Sequence, residues 1–120
     1  MEQNEASSLH WGLTLRLYRR EKSFGPGPMK LLEGVERTGS LHQSAQEMGM
    51  AYSKAWKILK TVEKEWGYPL LVRQTGGARG GGSTLTAAGK DLLTRYRAML
   101  SRVEQAAQEA FDACFPEEIR

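Results

Sequence analysis

The sequence predicts a mainly α fold with one small β-hairpin: a winged helix-turn-helix, preceded by an N-terminal strand and followed by a long C-terminal dimerisation helix. Three observations predict it. Two helical stretches meet at a tight turn with an alanine–glycine spacing, Ala45 and Gly49. A basic, glycine-rich segment between two strand-like runs comes next, LLVRQTGGARGGGSTLT from Leu70 to Thr86. The last third then carries apolar residues at alternating spacings of four and three.

Length and composition agree with that class. At 120 residues the chain is one domain with an appended helix. Three tryptophans, four tyrosines and a 40% apolar composition suit a folded chain. No apolar run approaches the roughly 20 residues needed to span a bilayer. The start, MEQNEASSLHW, lacks the basic and apolar regions of a secretion signal. A single cysteine, Cys114, cannot form an internal disulfide, so a reducing cytoplasm is expected. The net charge is only +3, but residues 50–90 hold seven basic side chains against Glu63 and Glu65. That local excess favours a polyanion, although a solvated helix face would produce it too.

Taken in order, residues 1–10 are polar and aperiodic and read as a disordered tail. The winged head spans 11–86. Leu13 to Arg19 alternates leucine with polar residues, the period-two mark of a strand. SFGPGP breaks it, and Pro28 suits the first turn of a helix that carries Met29, Leu32 and Val35 on one face and stops at Gly39. Ser40 and Gln43 fit a capping box, with the serine accepting from the Gln43 amide and the Gln43 side chain reaching back. This opens a short helix, Leu41 to Met48, ended by Gly49. The next helix runs from about Tyr52 to Trp66 and stops at Gly67-Tyr68-Pro69.

At about 100° per residue, Ala55, Ile58, Leu59, Val62 and Trp66 share one side of that helix. Ser53, Lys57, Lys60 and Lys64 lie opposite, with Lys54 at the edge. As the second helix of the pair, it is the one that enters a major groove in DNA-binding units. Trp56 reads as core. The Tyr52 hydroxyl is open between a phosphate, a base and packing.

The glycine run has three readings. A linker fits poorly, because structure resumes on both sides. A nucleotide-binding loop, the enzymatic reading, fails because glycine stands where the phosphate-binding lysine should be. A hairpin wing fits: the glycine tip admits close backbone approach, and Arg79 enters a narrow, negatively charged minor groove. A loop without contacts is the alternative. The candidate DNA contacts are therefore Tyr52, Ser53, Lys54, Lys57 and Lys60 on the helix, and Arg73, Thr75, Gly77, Arg79 and Gly80 on the wing.

Residues 87–114 read as one long helix capped by Thr86, and 115–120 as a tail. Leu92, Tyr96, Met99, Val103, Ala106 and Ala110 form a heptad seam, the candidate dimer interface, with its first half on the head and its second half on a partner. A helix folded back on its own domain is the alternative. His10 and His42 are too isolated for a metal site with Cys114, and no nucleophile–base arrangement is present, so neither metal nor enzyme activity is expected.

These residues carry a family resemblance. MAYSKAWKILKTVEKEWGYPLLVR, Met50 to Arg73, resembles the head of LysR-type transcription regulators through Ala55, Val62, Glu63, Gly67, Pro69, Leu70 and Arg73. From about Leu13 to Phe111 the chain resembles more closely the N-terminal domain of the molybdate-responsive ModE family. That likeness rests on LTLRL, Gly39-Ser40, Tyr52, Ala55-Trp56, the loop Thr75-Gly76-Gly77 through Gly80-Gly81-Gly82, then Leu85-Thr86 and Gly89. The resemblance implies a winged-helix domain binding double-stranded DNA, dimeric through its N-terminal strand and long helix. In that family molybdate binds in separate C-terminal domains. The chain stops at Arg120, so those domains, and any cofactor, are expected to be absent, and Met1 favours a stand-alone regulator. The competing expectation is a winged-helix protein-interaction module without DNA binding. A small-molecule effector is not specified by any motif.

Overall fold

The computed structural model describes residues 8–74 and 82–120. A segment without regular secondary structure leads into β1 (Leu17–Tyr18), which pairs antiparallel with β2 (Lys22–Phe24). Helices α1 (Pro26–Thr38), α2 (Leu41–Glu47) and α3 (Tyr52–Trp66) come next. Strands β3 (Leu71–Gln74) and β4 (Gly82–Leu85) form the second antiparallel sheet, and α4 (Ala87–Cys114) ends in a short turn of 3-10 helix at Glu117–Ile119.

The expected strand from Leu13 to Arg19 contracts to two residues. Alternation makes a strand only where a partner supplies a ladder, and β2 is three residues long behind a tight turn. The segment before β1 is instead tied to α4. The Tyr96 hydroxyl donates to the Leu15 carbonyl at 2.7 Å, and the Trp11 indole N–H donates to Gln108 at 3.2 Å.

Helix α1 begins two residues before Pro28. Pro26 occupies its first turn, where an amide hydrogen would have no helical partner. Its buried stripe is Leu31, Leu32, Gly34 and Val35, wider than the expected face, with Met29 half-buried. Gly34 faces α2 with no room for a side chain: a Cβ there would lie 2.0 Å from the Ser44 oxygen. The Ser44 hydroxyl donates to the Leu31 carbonyl at 2.8 Å, so the buried hydroxyl is satisfied.

Helix α2 starts as half of the expected capping box. Ser40 accepts from the Gln43 amide at 3.0 Å, but the Ser40 amide donates to the Thr38 hydroxyl instead of the Gln43 side chain. Gly49 turns the chain with φ +66°, a conformation that disfavours any side chain, and the Met50 amide returns to the Ala45 carbonyl at 3.0 Å. Helix α3 then runs as expected, burying Ala55, Leu59 and Val62. The Glu63 carboxylate accepts the Leu70 amide at 2.8 Å and so fixes the corner into β3.

The core joins all these elements. Phe24 and Tyr96 meet edge to face at 4.9 Å, surrounded by leucines of α1, α3, α4 and the wing stem. Thr86 fastens α4 twice: it accepts from the Gly89 amide at 2.9 Å and donates to the Pro69 carbonyl at 2.7 Å. Arg97 clamps α4 to α1 through Glu33 at 2.8 Å and Glu36 at 3.3 Å. Beyond Leu100 no residue of α4 is fully buried, and the molecule is elongated to 60 × 34 × 21 Å.

Candidate nucleic-acid interface

The surface that can meet a polyanion is built on three elements. Helix α3 supplies the first part. Ser53, Lys54 and Lys57 are exposed, and among the described residues no carboxylate pairs with either lysine. Their place is set by the helix itself: burying Ala55, Leu59 and Val62 turns them outward. Lys60 behaves differently. Its ammonium reaches Glu63 at 3.2 Å and lies 5.0 Å from the centre of the Trp56 ring, so its charge already has partners.

The wing stem supplies the second part. The register Leu71↔Leu85, Val72↔Thr84, Arg73↔Ser83 and Gln74↔Gly82 buries Leu71, Ser83 and Leu85 on one side and leaves Arg73 exposed. The stem is pinned to the α1–α2 corner by the Ser83 amide, which donates to the Gly39 carbonyl at 2.9 Å. A Cβ at Gly82 would stand 3.0 Å from that same carbonyl, so the last glycine of the run serves this close approach. Of the expected wing contacts, Thr75, Gly77, Arg79 and Gly80 lie outside the described residues.

Tyr52, Trp56, Arg73 and His42 join the two parts. The Arg73 guanidinium donates to the Tyr52 hydroxyl oxygen and lies 4.8 Å over the Trp56 ring. Tyr52 meets Trp56 edge on at 6.3 Å and packs against the His42 ring of α2 at 5.4 Å. Burial works against ionisation of the Tyr52 phenol, but the hydrogen bond from Arg73, the Trp56 indole beside it and the Arg73 positive charge together bring it below its ordinary value. Trp56, expected in the core, is half-buried and serves as a platform for two cations. Beside this cluster is a hollow of about 420 Å³ bordered by Ser40, His42, Tyr52, Arg73, Gln74 and Ser83, with no carboxylate among the described residues of its wall. The sequence offered no signal for His42 or Ser40 here, because both come from α2 and its cap and not from the lysine-bearing helix.

The seam on α4 divides. Leu92 and Tyr96 are spent on the head, where they are buried. Met99, Ala106 and Ala110 are exposed or half-exposed, as is Val103, and a shallow groove runs along Arg95, Met99, Arg102 and Ala106. Among the described residues no group of three or more His, Cys, Asp or Glu side chains could hold a metal, and no helix is long and apolar enough to cross a membrane.

Comparison with known proteins bears on this arrangement. A family model for bacterial regulatory helix-turn-helix proteins of the lysR family matches residues 28–90. The molybdenum transport protein ModE of Azotobacter vinelandii is 38% identical over 71 residues, covering 59% of this chain and 26% of the relative. The DNA-binding transcriptional dual regulator ModE of Escherichia coli K12 is 35% identical over 101 residues, covering 83% and 36%. The chain thus spans about a quarter to a third of the length of these relatives. Among solved structures, the protein in the CbnR_DBD–DNA complex superposes with a TM-score of 0.58 at 22% identity, covering 72% of this chain and 94% of that one. The protein in the BenM_DBD/benA site 1 DNA complex gives 0.57 at 19%, covering 75% and 96%. At such identities the likeness is one of fold.

Proposed function

The chain belongs to the bacterial regulatory helix-turn-helix proteins of the lysR family, and from that membership we propose that it is a sequence-specific regulator of transcription that binds double-stranded DNA as a homodimer. The observation that carries the proposal is the juxtaposition of Lys54 and Lys57 on α3, neither paired with a described carboxylate, with Arg73 on the wing stem, beside a hollow with no acidic wall. Positive side chains at one end of a helix pair supply the sequence-independent part of DNA binding, and a helix in the major groove supplies base contacts.

On this reading Tyr52, Ser53, Lys54 and Lys57 of α3 face the major groove, and the wing touches the flanking backbone. The exposed half of α4, from Met99 onward, meets a second copy. Two heads related by twofold symmetry meet half-sites about 34 Å or a multiple apart, so the operator is roughly palindromic. The family is one of regulators and not of enzymes, and the reading assigns this head no cofactor and a cytoplasmic site of action.

Selection of bound duplexes from a random pool tests the proposal. Recovery of a palindrome with fixed half-site spacing is expected. Failure to bind any duplex at low salt would reject it in favour of a protein-interaction module on the same fold.

A further inference from the structure

We propose that the hollow between the α2 cap, the start of α3 and the wing stem is a seat for one phosphate of the DNA backbone, gripped by the Arg73 guanidinium and the Tyr52 hydroxyl. The inference rests on the DNA-binding reading above and names the group that this part of the surface holds.

Donor hydrogens around the hollow lack acceptors among the described residues. Among the described residues, Arg73 is the arginine or lysine that borders the hollow, and it is held in place by the Tyr52 oxygen and by the Trp56 ring. A guanidinium has five N–H donors, and among the described residues Arg73 has no carboxylate partner. Because Arg73 donates to the Tyr52 oxygen, the phenolic hydrogen must point away from Arg73, and no described residue accepts it. The Ser40 oxygen likewise accepts from the Gln43 amide, which frees the serine hydrogen. Three neighbouring groups therefore offer hydrogens to a space walled without carboxylate. The matching occupant is rich in acceptors and negatively charged, and a tetrahedral phosphate meets both demands. Arginine forks match such oxygens in pairs. The positive charge beside Tyr52 also polarises its O–H and makes it the better donor.

The source of the phosphate is given by position. Tyr52 is the first residue of α3, next to Ser53 and within about one and a half turns of Lys54 and Lys57. A backbone phosphate held here would set the depth and register of α3 in the groove, since phosphate contacts position a helix without reading sequence. Tyr52 and Arg73 are thereby positioning residues, and base discrimination falls to Ser53, Lys54 and Lys57.

The experiment is a coupling measurement. Duplexes carrying the selected operator, each with one neutral methylphosphonate, are titrated by fluorescence anisotropy against the wild type, Tyr52→Phe and Arg73→Met. At one phosphate in each half-site, neutralisation is expected to weaken wild-type binding about tenfold, as befits a hydrogen bond to a charged group. The same substitution is expected to cost either variant less than about twofold, because the interaction is already gone. Arg73→Met is also expected to lower the salt slope by about one per half-site. If Arg73→Met fails to fold, Tyr52→Phe, which removes a single oxygen, carries the test alone. Multiplicative losses at every phosphate, with operator binding otherwise intact, would overturn the seat but leave the regulator reading standing. Loss of all duplex binding by the wild type would overturn both. A third arm heats the free protein with inorganic phosphate or with chloride of equal ionic strength. Stabilisation by phosphate that disappears in Tyr52→Phe, without methylphosphonate coupling, would mean a free oxyanion site and would also reject the DNA assignment.

Discussion

Gly34 has no room for a side chain. A Cβ there would meet the Ser44 oxygen at 2.0 Å and the Ser44 Cβ at 2.6 Å, so Gly34→Ala must push α1 and α2 apart. Overpacking of this kind costs about 1–3 kcal/mol, and urea unfolding is expected to show it as a lowered midpoint. Gly27→Ala, where an added Cβ meets nothing within 4 Å, is the control and is expected to leave the midpoint nearly unchanged. A second expectation concerns Tyr52. Burial alone would raise its phenol, and the Arg73 hydrogen bond, the Trp56 indole and the Arg73 charge together outweigh it. Arg73→Met is therefore expected to move the Tyr52 titration to higher pH, read by difference absorbance against Tyr52→Phe. The sign for stability is fixed by the direction of that shift: a depressed phenol adds stability that is full above the unfolded pKa and lost as pH falls through the folded one. Neither Gly34 nor this cluster was legible in the sequence. A glycine inside a helix looks like a mild defect until its neighbour is known, and Arg73 lies 21 residues from Tyr52 on a different element.

Elements were more legible than residues wherever their ends are punctuated locally. Gly39 and Gly67 take left-handed φ values and stop α1 and α3, Gly49 turns the chain after α2, and Ser40 and Thr86 cap α2 and α4. Such signals act within four residues, so sequence spacing alone locates them. The N-terminal strand failed the same treatment because a ladder depends on a distant partner. Its leucines were counted correctly as apolar, and Leu15 and Leu17 do pack on the core, but without most of the expected sheet. Thr86 makes an element-scale prediction. Its hydroxyl caps α4 and also ties it to Pro69, so Thr86→Ala is expected to cost about 1–2 kcal/mol. Thr86→Ser keeps both hydrogen bonds and is expected to retain most of that stability. Paired thermal melts distinguish them, since each kcal/mol moves the midpoint by about 4–8 °C in a domain near this size. Equal melting of the two variants would show that the hydroxyl does neither job.

At the scale of the whole molecule the chief fact is asymmetry of burial. The head closes over Leu92, Leu93 and Tyr96, and α4 then continues past it with Met99, Ala106 and Ala110 open to solvent. The heptad spacing made that seam visible in the sequence, with its first half expected on the head, and the burial of Leu92 and Tyr96 puts the division just after Tyr96, a point that spacing alone does not locate. A charge placed on the open part should separate two copies without disturbing one. If the proposed homodimer forms through this face, Met99→Glu with Ala106→Glu is expected to shift sedimentation from dimer to monomer while the circular dichroism of the chain is retained. A dimer that survives both substitutions would move the contact elsewhere.

Helix α1 is tied to three other parts of the fold. This helix touches α2 through Gly34 and Ser44, receives α4 through Arg97, and ends at Gly39, whose carbonyl holds the wing stem. A twist imposed on the far end of α4 therefore has a connected route to the wing stem and to α2 that does not pass through α3. Leverage of that kind would tilt the hairpin and the short α2 together, as a steering column turns both wheels, and α1 is its shaft.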